Sequence, residues 1–313
     1  MIARSFGVLV MLAVAAHADK LPEPTPASMP PAKTKVKRQS SEDAKLRELT
    51  NDPLLGKADR ISGEEVKGLV TFTFDDGPNP GTTDAVVDAL EKYNIPAMFF
   101  IVTRRLVGKH GEAGRTLLRQ MLEKGFLVAS HSTSHPNLRG ASPARLAAEI
   151  DQSIRTLSKE AERPIGMFRA PFGAIDARGR AWLQKRGLTE AFWSIDTLDW
   201  QAKSAERLRK KVFKMIVDQE GGVVLMHDVK PITAEVIANV LDDLEAENCR
   251  RLESQRRPIW PVSIHYFLRD KKKLRDIPDD VKKTTEAYQL ALPLRCAARP
   301  KPTPDLLRPL FLE

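Results

Sequence analysis

The sequence predicts an α/β protein with a parallel sheet and helical crossovers, arranged as a closed barrel or an open doubly wound sheet. Three observations carry this reading. From residue 67 onward, short runs of apolar, β-branched and aromatic residues alternate with helix-length amphipathic stretches. The helix boundaries are marked: Ser142-Pro143 offers an N-cap followed by proline at the first helical position, and Gly125 and Gly187 sit where helices end. Finally, the turn after the first run is Asp75-Asp76-Gly77-Pro78 rather than a glycine-rich phosphate fingerprint. Its two acidic groups repel a nucleotide phosphate.

In chain order, strands are expected at 70–74, 97–102, 127–130, 167–170, 191–195 and 223–226, with a weaker one at 262–267. Helices are expected near 83–93, 112–124, 143–160, 177–186, 204–219 and 233–247. Residues 248–261 read as an insertion before the last strand, and 269–313 as a charged, proline-bearing tail with short helices that clasp the domain. No internal repeat is present.

The flanks set the compartment. Arg4, the apolar run 6–16 and the small-x-small triplet Ala16-His17-Ala18 form the pattern of a secretory signal peptide over 1–18. The apolar run is too short for a permanent transmembrane helix, so no stable membrane insertion is expected after cleavage. Residues 19–66 form a Pro/Lys-rich N-terminal extension. Its part up to about residue 40 has too little apolar surface to fold and reads as a disordered tether. The expected location is secreted or periplasmic. There an isolated pair such as Cys249 and Cys296 forms a disulfide if the fold brings the two Cα atoms within reach.

With 42% hydrophobic and 29% charged residues, the 313-residue chain belongs to the soluble globular class and has room for one large domain or two small ones. A formal charge of +9 suits anionic surfaces such as cell-wall polymers. No zinc finger, arginine-rich repeat or stacked-aromatic motif points to nucleic acid.

Polar residues then gather at the strand ends. Asp75 and Asp76 follow the first strand, His131 the third with His135 just beyond, and Arg169 lies near the end of the fourth. Asp196 and Asp199 follow the fifth, and His227 the sixth. In a parallel sheet all of these meet at one carboxyl rim, where barrel enzymes place their sites. A turn-forming role explains Asp76 or Asp196 alone, but not the whole set. His131 and His135, four residues apart, with Asp76 as third ligand, make a two-imidazole, one-carboxylate set. It suits one divalent ion, zinc by expectation; cobalt, nickel, manganese and iron are also compatible. His110 and His265 read as structural.

Five motifs occur in order: Thr73-Phe74-Asp75-Asp76-Gly77-Pro78; His131-Ser132-Thr133-Ser134-His135; Arg169-Ala170-Pro171-Phe172-Gly173; Asp196-Thr197-Leu198-Asp199-Trp200; and Leu225-Met226-His227. The set resembles the polysaccharide deacetylases with a NodB-homology domain, carbohydrate esterase family four. The resemblance spans about residues 68–230, roughly half the chain. It implies a distorted (β/α) barrel of about seven strand–helix units over residues 67–268. It also implies roles: Asp76, His131 and His135 as metal ligands, Asp75 as general base with Arg169 holding it ionised, and His227 as general acid with Asp199 favouring its protonated form. The backbone N–H of Phe172 would serve the oxyanion, and Leu225 and Trp200 would wall the acetyl-methyl pocket.

The activity so implied is hydrolysis of acetyl groups from N-acetylated sugars of a polysaccharide, peptidoglycan or a chitin-like polymer. Three other readings compete with it. One is an O-acetyl esterase on acetylxylan-type polymers, the second an inactive carbohydrate-binding protein, the third a basic wall-anchoring protein. The intact Asp75, Asp76, His131, His135 and His227 argue against the second.

Overall fold

The computed structural model describes residues 32–64, 66–109 and 111–300. The signal segment 1–18, residues 19–31 of the extension, His110 and residues 301–313 lie outside the described residues. The chain divides into two units, 1–40 and 41–313. Helix α1 (Ala32–Leu49) begins inside the stretch expected to be an extended tether. After Pro31 there is no proline until Pro53, and Ala, Lys, Arg and Gln favour helix there.

The larger unit is built on a parallel sheet centred on β1 (Leu69–Asp75). Strand β7 (Gly221–His227) pairs with β1 along its whole length, and β2 (Ala97–Ile101) pairs with its second half. Outward from β2 come β3 (Leu127–Ser130), β4 (Met167–Phe168) and β5 (Thr189–Glu190); beyond β7 comes β6 (Ile195–Asp196). Strands β5 and β6 are the two ends of this order, yet only the 191–194 link separates them in sequence. The edges are therefore drawn toward each other and the sheet curls into a half-barrel. The predicted strand 191–195 is this link instead: Phe192 N–H bonds Ile61 and Ser194 N–H bonds Val223, on opposite margins of the sheet.

Side-chain alternation sorts the central strands into two cores. Phe72, Phe74, Phe99 and Ile101 face the layer against the helices, whereas Met98, Phe100, Ala129 and Val223 fill the inside of the curl. Burying each phenylalanine contributes on the order of 1.5–3 kcal/mol. The crossover helices are α2 (Thr83–Lys92), α3 (Gly111–Glu123), α4 (Pro143–Leu146), α5 (Gln152–Ala161), α6 (Ala177–Lys185), α7 (Ala205–Asp218) and α8 (Pro231–Glu253). Ser142 caps α4 by accepting the Arg145 N–H at 3.2 Å, as its sequence signal foretold. A π-helical turn, Ala147–Asp151, joins α4 to α5.

The C-terminal part corrects two expectations. Residues 248–261 form no separate segment of their own. Helix α8 runs on to Glu253, and the side chain of Asn248 bonds both backbone groups of Ile259, steering the chain into β8 (Trp260–Pro261) beside the start of β1. The last strand of the main sheet is therefore 260–261, and 264–267 forms a 3-10 turn. Ile264 and Phe267 are buried at a spacing of three, which a strand's alternation cannot satisfy. The tail is a hairpin of β9 (Arg269–Asp270) and β10 (Lys273–Leu274) followed by one long helix, α9 (Asp279–Ala298). Helix α9 is fastened to α8 by the Cys249–Cys296 disulfide, with Cα atoms 5.5 Å apart, and by Arg295–Glu245 and Arg299–Asp242 ion pairs. Among the described residues no helix is long and apolar enough to cross a membrane.

Candidate metal and acid–base site

Because the strands are parallel, their carboxyl ends bring distant motifs together. Asp75 ends β1 and His227 ends β7, and the two are register partners across that strand pair. Asp76 follows with φ 81°, turned out of the strand. The 131–135 segment leaves β3 with Ser132 at φ 74° and His135 at φ 66°. Non-glycine residues rarely adopt such values, and they persist where surrounding contacts enforce them.

Ligand atoms of Asp76, His131 and His135 lie within 4.8 Å of one another. The Asp76 Oδ1 atom is 3.1 Å from His135 Nε2 and 3.6 Å from His131 Nε2, and is buried without a hydrogen-bond partner. His131 Nδ1 sits 2.8 Å from the Arg169 carbonyl, which can only accept. The proton is therefore on Nδ1, and Nε2 turns a bare lone pair toward Asp76. Burial drags His131 down to about 3, against the pull of Asp76, so its ring is neutral. Burial also lowers His135. An orphaned carboxylate oxygen facing a bare imidazole nitrogen and a second imidazole is a set that a divalent cation satisfies. The three residues read from sequence as ligands are thus assembled.

Asp75 is buried beside this cluster. Its Oδ1 accepts from Arg169 Nη1 at 2.8 Å, and the same nitrogen reaches Thr73 Oγ1 at 2.8 Å. Arg169 is fully buried, donates to the Phe192 carbonyl at 3.1 Å and lies over the Phe100 ring at 3.9 Å. The expected pairing of Arg169 with Asp75 is formed, but the guanidinium is not the larger influence on the carboxyl. Burial outweighs the guanidinium, and the carboxyl is raised above its ordinary range. That makes it a stronger base once ionised.

His227 Nδ1 is 2.7 Å from Asp199 Oδ1, and Asp199 Oδ2 accepts the His227 backbone N–H at 2.7 Å and the Thr233 hydroxyl at 2.5 Å. Burial works against the imidazolium. The Asp199 hydrogen bond and charge, helped by Asp75 and Asp76, overcome it and carry His227 up to about 9. Asp196 only accepts the Leu198 N–H, the part of a turn former.

Around these groups, Phe172 takes a left-handed backbone (φ 59°) and its ring, 68% exposed, meets His135 edge-on at 4.6 Å. Trp200 is 53% exposed on the rim, while Leu225 is buried in β7 next to Asp196. His265 is buried and paired with Ser263. A cavity of about 1080 Å³ runs from Pro78 and Asn79 past Arg104 and along α2 and α3; none of these site residues lines it.

Sequence reasoning gave no role to Thr73, which opens the first motif, and missed Thr83, Glu149, Asp228 and Thr233. Asp228 adjoins His227, so position alone was a usable signal. Asp228 is fully buried, accepts the Thr83 hydroxyl at 2.5 Å and leaves Oδ1 without a partner. Burial above all, with Asp76 and Asp75 adding, pushes it up to about 7 against the Thr83 hydrogen bond. A Cβ on Gly77 would stand 1.9 Å from its Oδ2, so a larger residue there would have to displace Asp228 or the turn.

A curled parallel β/α sheet with carboxylates and imidazoles on its carboxyl rim defines the class: a barrel scaffold with a mixed carboxylate–imidazole centre. Comparison supplies the family. Residues 62–191 match the polysaccharide deacetylase family model. The chain is 33% identical over 163 residues to a chitooligosaccharide deacetylase of Bradyrhizobium sp. (strain ANU 289), covering 52% of this chain and 71% of that protein. It is 29% identical over 227 residues to the peptidoglycan-N-acetylglucosamine deacetylase PgdA of Listeria monocytogenes, covering 72% of this chain and 46% of that one. Among solved structures, it is similar to a family 4 carbohydrate esterase from Streptomyces lividans in complex with acetate, with 28% identity and a TM-score of 0.51 over 60% of this chain and 90% of that one. The chain belongs to the polysaccharide deacetylase family. It spans about half the length of the Listeria relative.

Proposed function

We propose that this protein hydrolyses acetyl groups from N-acetylated amino sugars of a cell-wall or chitin-like polysaccharide, with one divalent ion, zinc by preference, held by Asp76, His131 and His135. When bound, such an ion supplies Lewis-acid charge that acidifies water and polarises a carbonyl. Asp75 accepts the proton of the attacking water, and Arg169 fixes the direction in which its free oxygen points. His227 then donates a proton to the sugar nitrogen as the C–N bond breaks, giving a free amine and acetate. Asp199 holds Nδ1, leaving Nε2 as the donor. The Phe172 N–H serves the developing oxyanion, and Leu225 and Trp200 confine the acetyl methyl.

The observation that carries this reading is the pairing of an Arg-bound carboxylate with a carboxylate-bound imidazole across one register pair, Asp75 with His227. Their environments separate a base from an acid. An amine leaves only when protonated, so an imidazole held up to about 9 favours N-acetyl over O-acetyl substrates. Relatives named as peptidoglycan and chitooligosaccharide deacetylases suggest the substrate class. The N-terminal signal pattern and the Cys249–Cys296 disulfide support action outside the cytoplasm.

The test is acetate release from peptidoglycan, chitooligosaccharides and acetylxylan, with elemental analysis of the purified protein. Release from the first or second at one metal per chain is expected. Release from acetylxylan alone would transfer the activity to O-acetyl esters, and metal binding without acetate release from any substrate would leave a binding protein.

A further inference from the structure

The loop between the two histidine ligands is strained at Ser132 and His135. Something must hold it. One internal contact does part of this: Ser132 Oγ accepts the His135 N–H at 2.9 Å. More comes from the 3-10 turn Thr103–Leu106, whose Thr103 and Arg104 N–H groups bond the Ser132 and Thr133 carbonyls at 3.1 and 3.0 Å, and from the π-helical turn Ala147–Asp151. The Thr133 N–H bonds the Glu149 carbonyl at 3.0 Å, and the Thr133 hydroxyl bonds the Ala148 carbonyl at 2.8 Å. Glu149, only 3% exposed, then uses both carboxylate oxygens on a single residue: Oε2 accepts the Ser134 N–H at 2.9 Å and Oε1 the Ser134 hydroxyl at 2.7 Å. Arg145 flanks it at 3.2 Å on the exposed side. π turns interrupt helices where function needs a displaced backbone. Here the turn presents two carbonyls and a carboxylate to the residues lying between His131 and His135.

We propose that Glu149 is a positioning residue for the metal centre, clamping Ser134 so that the His131 and His135 nitrogens converge on Asp76. The inference rests on the metal reading above. Losing a contact that orients a metal ligand lowers metal affinity by about tenfold to a hundredfold. Glu149→Gln keeps an acceptor for the Ser134 N–H, and its amide can donate to the Ser134 oxygen. Glu149→Ala keeps neither contact. Asp151 is an internal control on the same turn. It faces away from the loop, to Trp182 Nε1 at 2.9 Å and Arg186 Nη2 at 2.5 Å.

The experiment is zinc affinity of the full chain by competition with a chromogenic chelator, with circular dichroism confirming the fold of each variant. Glu149→Ala should bind zinc about ten- to a hundredfold more weakly, Glu149→Gln within a few-fold of wild type, and Asp151→Asn like wild type. Should Glu149→Ala not fold, Ser134→Ala carries the test, with a loss of about tenfold expected. Wild-type affinity in Glu149→Ala, or in Ser134→Ala where that variant stands in, overturns the inference and leaves the metal reading intact. So does equal weakening in Asp151→Asn, which would mark a general structural effect. A wild-type chain that binds no divalent ion overturns the metal reading, and the inference with it.

Discussion

Replacing Asp199 by Asn is the sharpest probe of the acid. In the structure His227 stands at about 9 although burial works to lower it, so Asp199 supplies most of the upward pull, with Asp75 and Asp76 helping. Losing one close carboxylate should lower the imidazole by about 1–2 units. At pH 8 a fall of about 1.5 units takes the protonated fraction from about nine-tenths to about one quarter; at pH 6 it changes almost nothing. The assay is kcat/KM against pH for both proteins on an N-acetyl chitooligosaccharide. The alkaline limb should move to lower pH in Asp199→Asn. A bound divalent ion acidifies water into the same range, so the displacement between the two proteins, and not the wild-type limb alone, assigns the group. Stability gives a second readout. His227 binds its proton more tightly folded than unfolded, so its contribution is complete below about 6.5, and is lost as pH rises through about 9. Thermal melting of wild type should weaken across that window, and Asp199→Asn should flatten the slope. A uniformly lowered profile with an unmoved limb would refute the tuning of His227 by Asp199.

Three further outcomes are expected. Asp76→Asn should lose the metal, whereas Asp75→Asn should keep it while turnover falls by about 10²–10⁴, since an amide cannot accept the proton; parallel metal loss in both would mean that ligand and base have been exchanged. Gly77→Ala must displace either the Asp75-Asp76 turn or Asp228, because the new Cβ meets Asp228 Oδ2 at 1.9 Å. A kcat/KM about a hundredfold lower is expected, and near-normal kinetics would show that the turn tolerates the shift. Reducing Cys249–Cys296, which closes a 47-residue separation, should cost roughly 4 kcal/mol on the chain-entropy estimate and lower Tm without changing kcat/KM, since α9 contributes no residue to the site.

What the sequence made legible follows its physics. Strands such as 127–130 and helices such as α6 and α7 announce themselves because periodicity and caps are local. The 191–195 run misled because its apolar residues serve both margins of a curling sheet rather than one strand. The 248–261 stretch misled because its reversal depends on one asparagine side chain reaching a residue eleven positions on. The site divides in the same way. Asp75, Asp76, His131, His135, Arg169, Asp199 and His227 were readable as groups at the carboxyl ends of parallel strands, which topology gathers without further information. Glu149 and Thr233 were not. Each sits on a helix whose pattern is already explained by packing, and each is recruited by a contact with no local trace.

Arg169 shows how economically the centre is tied together, and it yields a separable test. Its guanidinium holds Asp75 and Thr73 through Nη1 and the Phe192 carbonyl through Nη2, while its backbone carbonyl orients His131. Base and ligand are thus positioned by different parts of one residue. Arg169→Lys removes the fork and its stacking on Phe100 but leaves the carbonyl in place. An ammonium on a flexible stem cannot span Thr73, Asp75 and Phe192 in one plane. The substitution should therefore keep zinc affinity near wild type, because the His131 tautomer is still fixed from the backbone. It should lower kcat by tenfold or more, with little change in KM, because Asp75 loses its fixed direction toward the reacting water. Elemental analysis and steady-state kinetics on the same preparation separate the two effects. If metal and activity fall together in Arg169→Lys, the side chain supports the ligands as well, and the division of labour inferred for this residue is wrong.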